Sequence, residues 1–212
     1  MLKKIIFAMS LMILSAFAGD SFLNSCQKKW TENAKNIKSF RADMVQAFSI
    51  NGRNTEEVAN FLFLNSDRFY SRIDMDSQLG KMINICRGDS IFVKVGSSKW
   101  IVEKGSCAEK QPFLMTTQLN VKSFKFIKKN EDIRVYQDSL GAQYSIDTKT
   151  CRIKEMSSSE SKSIFDYEKK GNIDLLTKID TEIKENSVKY VVEYKNILVN
   201  RGVTKSFFDV GK

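Results

Sequence analysis

Histidine is absent from all 212 residues, and proline occurs once, at Pro112. Without an imidazole there is no Ser-His-Asp triad, no Cys-His pair and none of the His-bearing sites that hold most catalytic zinc. One proline and ten glycines give no Pro- or Gly-rich linker at which the chain would divide. No glycine-rich phosphate loop is present. The four cysteines include no closely spaced pair of the kind that binds zinc.

What is present begins with residues 1–18, which have the form of a secretory signal peptide. Lys3 and Lys4 are followed by an apolar run from Ile5 to Leu14, and Ala16-Phe17-Ala18 fits the small-x-small rule before cleavage. The run is short for a bilayer span, and Gly19-Asp20 follows without a stop-transfer pattern. The first cysteine is Cys26, so no lipid-attachment cysteine follows the cleavage point. The expectation is an exported protein with one domain over residues 19–212. Export and an even cysteine count predict two disulfides among Cys26, Cys86, Cys107 and Cys151, with three possible connectivities. Cys86 and Cys107 flank a strand hairpin and could meet at its end, which favours that pair and leaves Cys26 with Cys151. The net charge of +9 suits acidic partners, but export argues against nucleic acid, and Lys122, Lys125, Lys128 and Lys129 are scattered without an arginine stripe.

Phe22, Leu23, Cys26, Trp30, Ala34 and Ile37 recur at three- and four-residue steps, predicting an amphipathic helix capped by Asp20 or Ser21. From Ser39 the period changes to two. Phe40, Ala42 and Met44 alternate with Arg41 and Asp43; Asn51-Gly52 with Asn54 to Glu57 predicts a turn; Val58 to Leu64 returns as a strand. Asn65-Ser66-Asp67 turns the chain into Arg68 to Ile73, with Phe69, Ser71 and Ile73 facing away from Arg68, Tyr70 and Arg72. Short strands follow at Lys81 to Cys86, Ser90 to Val95 and Lys99 to Glu103. Ala108 to Leu119 loses the alternation and reads as a short helix or apolar loop. Further strands are predicted at Ile133 to Gln137, Gln143 to Asp147, Cys151 to Met156, Ser163 to Tyr167, Leu176 to Ile183, Val188 to Ile197 and Val203 to Val210. The fold class is mainly β (α+β): an antiparallel sheet with helical cover on one face.

The search for chemistry returns little. Ser159-Glu160-Ser161-Lys162 matches a Ser-x-x-Lys pattern, but no Lys-Thr-Gly partner follows. The acid pairs Glu56-Glu57, Glu131-Asp132 and Asp180 with Glu182 sit beside predicted turns or on polar strand faces. Arg87-Gly88-Asp89 is explained by a hairpin turn. The expectation is no catalysis, no cofactor and no metal. The feature above background is apolar: fifteen phenylalanines, many on strands, and one helix to cover the sheet, which leaves room for a hydrophobic cavity.

Ser39-Phe40-x-Ala42-x-Met44-x-Gln46, directly after an amphipathic helix, resembles the Ser-Phe-x-Ala-x-Phe-x-Gln opening of the first strand in the LolA-like family of periplasmic outer-membrane lipoprotein carriers. Phe61 to Phe69 is similar to that family's second strand, turn and third strand, and Arg87 to Val93 to its Asp-Gly hairpin. Gln111-Pro112-Phe113-Leu114-Met115 resembles its Thr-Pro-Phe-Met-Leu segment, and Asn200 to Phe208 its C-terminal strands. The matches run in the family's order over most of the chain. The resemblance implies an unclosed antiparallel barrel, or half-barrel, with an N-terminal helix and a short helical lid over its concave face. It implies an acyl-chain cavity lined by Phe40, Met44, Phe61, Phe63, Phe69, Ile73, Phe113 and Leu114. Asn65 stands at the lid's mouth, where many members carry an arginine that ties the lid shut; asparagine keeps hydrogen bonding without the charge. Implied partners are acylated lipoproteins, an inner-membrane lipoprotein-releasing transporter and an outer-membrane acceptor, with the protein expected to be a monomer. The alternative is a periplasmic sensor or interaction module on the same fold that binds a lipoprotein or an envelope-stress regulator.

Overall fold

The computed structural model describes residues 20–77, 80–107, 116–185 and 188–210. The predicted signal peptide and most of the predicted lid, with Phe113 and Leu114, lie outside the described residues. The single helix of the described chain, α1, runs Ser21–Asn36. Asp20 is its cap: one carboxylate oxygen accepts from the backbone N–H groups of Phe22 at 2.9 Å and Leu23 at 3.2 Å. The buried positions Leu23, Cys26, Trp30 and Ala34 make one stripe at the expected spacing.

Thirteen strands follow: β1 (Ser39–Ile50), β2 (Arg53–Asn65), β3 (Phe69–Ser77), β4 (Gly80–Arg87), β5 (Ser90–Val95), β6 (Ile101–Lys104), β7 (Lys125–Asn130), β8 (Ile133–Gln137), β9 (Gln143–Asp147), β10 (Ile153–Ser157), β11 (Ser161–Lys170), β12 (Ile173–Ile183) and β13 (Val188–Val199). They form one sheet in the order β6-β5-β4-β3-β2-β1-β13-β12-β11-β10-β9-β8-β7. Two meanders, β1 to β6 and β7 to β13, are therefore zipped together where β1 meets β13, in antiparallel register with Phe40 opposite Val199 and Met44 opposite Tyr194. The sheet stays open, with β6 and β7 as its edges.

Its inner face carries the main core. The helix stripe packs there with Phe40, Ala42, Met44, Phe61, Phe63, Tyr136, Ile146, Phe165, Leu175 and Tyr194. Two disulfides, Cys86–Cys107 and Cys26–Cys151, have the connectivity favoured from the hairpin spacing.

Three local expectations need correction. The turn after β1 is Asn51-Gly52 alone, with φ of 51° and 77°, and Asn54 to Glu57 already belong to β2. A two-residue loop with both residues left-handed matches the twist of the flanking strands, so no longer polar turn is needed. The run Val203 to Val210 is not a strand: Lys205–Phe208 is a 3-10 helix. Asn200 and Gly202 take φ of 57° and 68°, which breaks the extended backbone after β13. Phe208 then turns onto the outer face of the sheet, where it joins Leu62, Tyr70 and Ile85 in a second buried cluster. Tyr70 lies, as expected, on the face opposite Phe69 and Ile73, and the C-terminal segment covers it there, with the Tyr70 and Phe208 ring centroids 5.5 Å apart. Finally, β7 was not anticipated, because all six of its residues are exposed and its pairing is interrupted between Phe126 and Lys128, which erases the alternation.

Candidate functional site

The site is the space between α1 and the inner face of the sheet. Three sets of contacts fix the helix over β8 to β12. At its start, the second oxygen of Asp20 accepts from the Tyr136 hydroxyl at 2.6 Å, and Arg134 lies 3.5 Å from the same carboxylate with its guanidinium 4.7 Å over the Phe22 ring. In its middle, Cys26 is bonded to Cys151, and the Trp30 indole N–H donates to the Cys151 carbonyl at 2.6 Å. Toward its end, Asn33 and Asp174 exchange two hydrogen bonds of 2.7 and 2.8 Å. Asn200 closes the helix: its oxygen accepts from the Lys38 and Ser39 N–H groups while its NH2 donates to the Asn36 carbonyl. The left-handed turn at Asn200 is what aims this side chain at the helix terminus.

Between the helix and a wall made by β11, β12 and the turn that precedes β10 lies a half-open crevice of about 220 Å³. Trp30, Tyr167 and Leu176 give it an apolar floor, and Asn33, Thr116, Arg152 and Asp174 form its polar rim. Arg152 pairs with Asp174 and stands 5.5 Å over the Tyr167 ring, while its Nε is buried without a hydrogen-bond partner. Burial pushes the Tyr167 and Tyr194 hydroxyls well above the usual tyrosine range. The volume is below the roughly 300 Å³ at which drug-sized pockets begin, so a longer guest has to extend along the sheet.

Other apolar positions of the same face are also incompletely covered. Ile73 and Met75 of β3, opposite Phe61 and Ala59, are only partly buried against the core. So are Ile179, opposite Val192, and Tyr190, whose ring stacks on Phe48 at 4.6 Å.

Of the residues expected to line a cavity, the six described ones share this inner face. Phe40, Met44, Phe61 and Phe63 are at most 4 % exposed and pack within the core, Phe40 against Phe61 at 5.8 Å and Tyr194 at 5.7 Å. Phe69 stacks on Phe63 at 6.0 Å, and with Ile73 is partly buried. Asn65 ends β2 and its backbone N–H donates to the Lys38 carbonyl at 2.8 Å, which places it beside the junction of α1 and β1. Trp30, Tyr167 and Leu176 were not anticipated as lining. The helical spacing put Trp30 on the apolar stripe, and Tyr167 and Leu176 fell only at the ends of predicted strands; the helix's docking position, which no local pattern encodes, makes the three a crevice. Among the described residues no group of three or more His, Cys, Asp or Glu could hold a metal ion.

No family model matches the sequence, and no curated protein matches it. Solved structures do match the fold. A DUF1329 family protein from Desulfovibrio piger aligns over 88 % of this chain and 97 % of its own, with a TM-score of 0.63 and 13 % identity. A structure described as an outer membrane lipoprotein-sorting protein domain, from Vibrio parahaemolyticus, aligns over the same shares with a TM-score of 0.62 and 11 % identity. A LolA superfamily protein from Nitrosomonas europaea aligns over 87 % of this chain and 97 % of its own, with a TM-score of 0.56 and 11 % identity. The chain therefore has the fold that its sequence motifs resemble.

Proposed function

We propose that this protein is a periplasmic carrier that shields the acyl chains of lipoproteins between the inner and outer membranes, without catalysis or cofactor. The observation that carries the reading is an inner face whose apolar residues are not all covered: a crevice beside α1 floored by Trp30, Tyr167 and Leu176 and, elsewhere on that face, partly buried Ile73, Met75, Ile179 and Tyr190. The fold shared with a lipoprotein-sorting domain and a LolA superfamily protein supports it. Burying an acyl chain is worth about 0.8 kcal/mol per methylene, so a chain is held reversibly without a covalent step and is released to an acceptor that buries more of it. Phe113 and Leu114 complete the lining in this reading, and Asn65 borders its mouth.

The test is to incubate the purified protein with an acylated lipoprotein and look for a soluble one-to-one complex by gel filtration. Ile73→Glu, a partly exposed position that the fold tolerates better than buried Phe61, is expected to lower retention at least tenfold by placing a charge against the chain. Failure to retain any acylated ligand at micromolar protein contradicts the proposal.

A further inference from the structure

The edge strand β7 carries a feature that neither the core nor the crevice uses. Between residues 121 and 131 there are four lysines, Lys122, Lys125, Lys128 and Lys129, against one acid, Glu131. All six residues of β7 are exposed, and among the described residues no carboxylate pairs with any of the four lysines. The nearby Asp132 is engaged by Lys149. Lysines alone are what an edge strand carries to discourage pairing with another sheet. Here they are interleaved with Phe126 at 51 % exposure and Ile127 at 44 %, which a solvated, blunted edge does not call for. The base of the strand is rigid: Phe124 stacks on Tyr144 at 4.8 Å, and the Phe126 ring meets Tyr136 edge-on at 5.7 Å. Tyr136 is in turn bonded to the helix cap Asp20, so the patch is joined firmly to the body of the protein.

From this we infer that β7 is a docking surface for an anionic phospholipid bilayer, with the lysines meeting lipid phosphates and Phe126 and Ile127 entering the headgroup region. The charge is complementary, and each lysine near an anionic surface adds roughly fivefold to binding. Partly exposed aromatic and aliphatic side chains supply the apolar contribution that free lysines lack. Pairing of β7 with a second copy is disfavoured, because it would set lysines against lysines in a shared edge. The inference stands on the edge strand and does not require the carrier reading.

Sedimentation of the purified protein with vesicles tests it. Vesicles of equal parts phosphatidylglycerol and phosphatidylcholine are expected to bind the protein, and pure phosphatidylcholine vesicles to leave it in solution. The triple variant K125E/K128E/K129E should lose about a hundredfold or more in binding, and Phe126→Ser should lose part of it at unchanged charge. A control triple, K99E/K104E/K169E, changes net charge equally at exposed sites elsewhere and should bind at least tenfold more tightly than the β7 triple. Unchanged thermal melting of each variant confirms the fold. No binding to the anionic vesicles, or equal loss in the two triples, overturns the inference. So does self-association through β7 or capture of an acidic polypeptide without vesicle binding. Acyl-ligand retention measured in solution on the same variants is expected to be intact, so a failure here is distinguishable from a failure of the carrier reading.

Discussion

Asp20 does more than one residue's share in placing the helix. Its two oxygens cap α1 and accept the Tyr136 hydroxyl, with Arg134 alongside. Asp20→Ala removes the cap and leaves a buried phenol without its acceptor, so we expect a loss of about 2 kcal/mol in urea denaturation. Tyrosines set the alkaline limit. Burial raises the hydroxyls of Tyr136 and Tyr144 to about 12, with hydrogen bonds to Asp20 and Asp138 adding to the effect, and raises Tyr167 and Tyr194 further. An unfolded chain ionises these groups near pH 10, whereas the folded chain keeps them protonated. Their contribution is thus fully present below about pH 10 and is lost as pH rises toward about 12. Denaturation midpoints measured across that range should fall, and absorbance at the tyrosinate band should rise together with unfolding rather than before it. Asp67 acts at the other end: its bonds to Lys205 and Ser66 hold its carboxyl far below the usual range, so the tie between the β2–β3 turn and the C-terminal 3-10 helix persists well into acid.

At the scale of elements, α1 is a fixed cover. One disulfide, Trp30, the Asn33–Asp174 pair and the Asn200 cap hold it along its length. Replacing Cys26 and Cys151 with serine frees a connection spanning 125 residues and should cost about 3–5 kcal/mol in the chain-entropy picture. The same geometry predicts that fully oxidised protein takes up ligand; a need for reductant would show that α1 has to leave. The helix and β1 to β3 were legible in the sequence because periods of 3.6 and 2 are local properties, and Asn51-Gly52 is a sharp hairpin signal. The C-terminal run was misread for a physical reason. Val203, Phe207, Phe208 and Val210 have the composition of a strand, but β13 already lies between β1 and β12, so the segment had no neighbouring edge to pair with and covers Tyr70 instead. Arg72 fastens it there through a 2.8 Å bond to the Phe207 carbonyl.

For the whole molecule, the sequence pointed to an antiparallel sheet with a large apolar face under helical cover, which its family resemblance implied to be unclosed, and the thirteen strands form such a sheet. It did not announce how that face is shared between core and guest. Phe40, Met44, Phe61 and Phe63 are core packing in the described protein, whereas the half-covered positions are spread over β3, β12 and β13, strands that only the sheet order brings onto one surface. The crevice likewise exists because α1 docks on β8 to β12 and leaves the rest of the face less covered, a tertiary outcome without a local signature. The most direct measurement uses the tryptophan on its floor. The chain has two tryptophans, so Trp100→Phe leaves Trp30 as the sole indole reporter. Titrating that variant with an acylated lipopeptide should give a saturable, one-to-one change in Trp30 fluorescence at micromolar concentration. An emission spectrum that stays constant throughout, with the ligand still free in solution, would contradict the account.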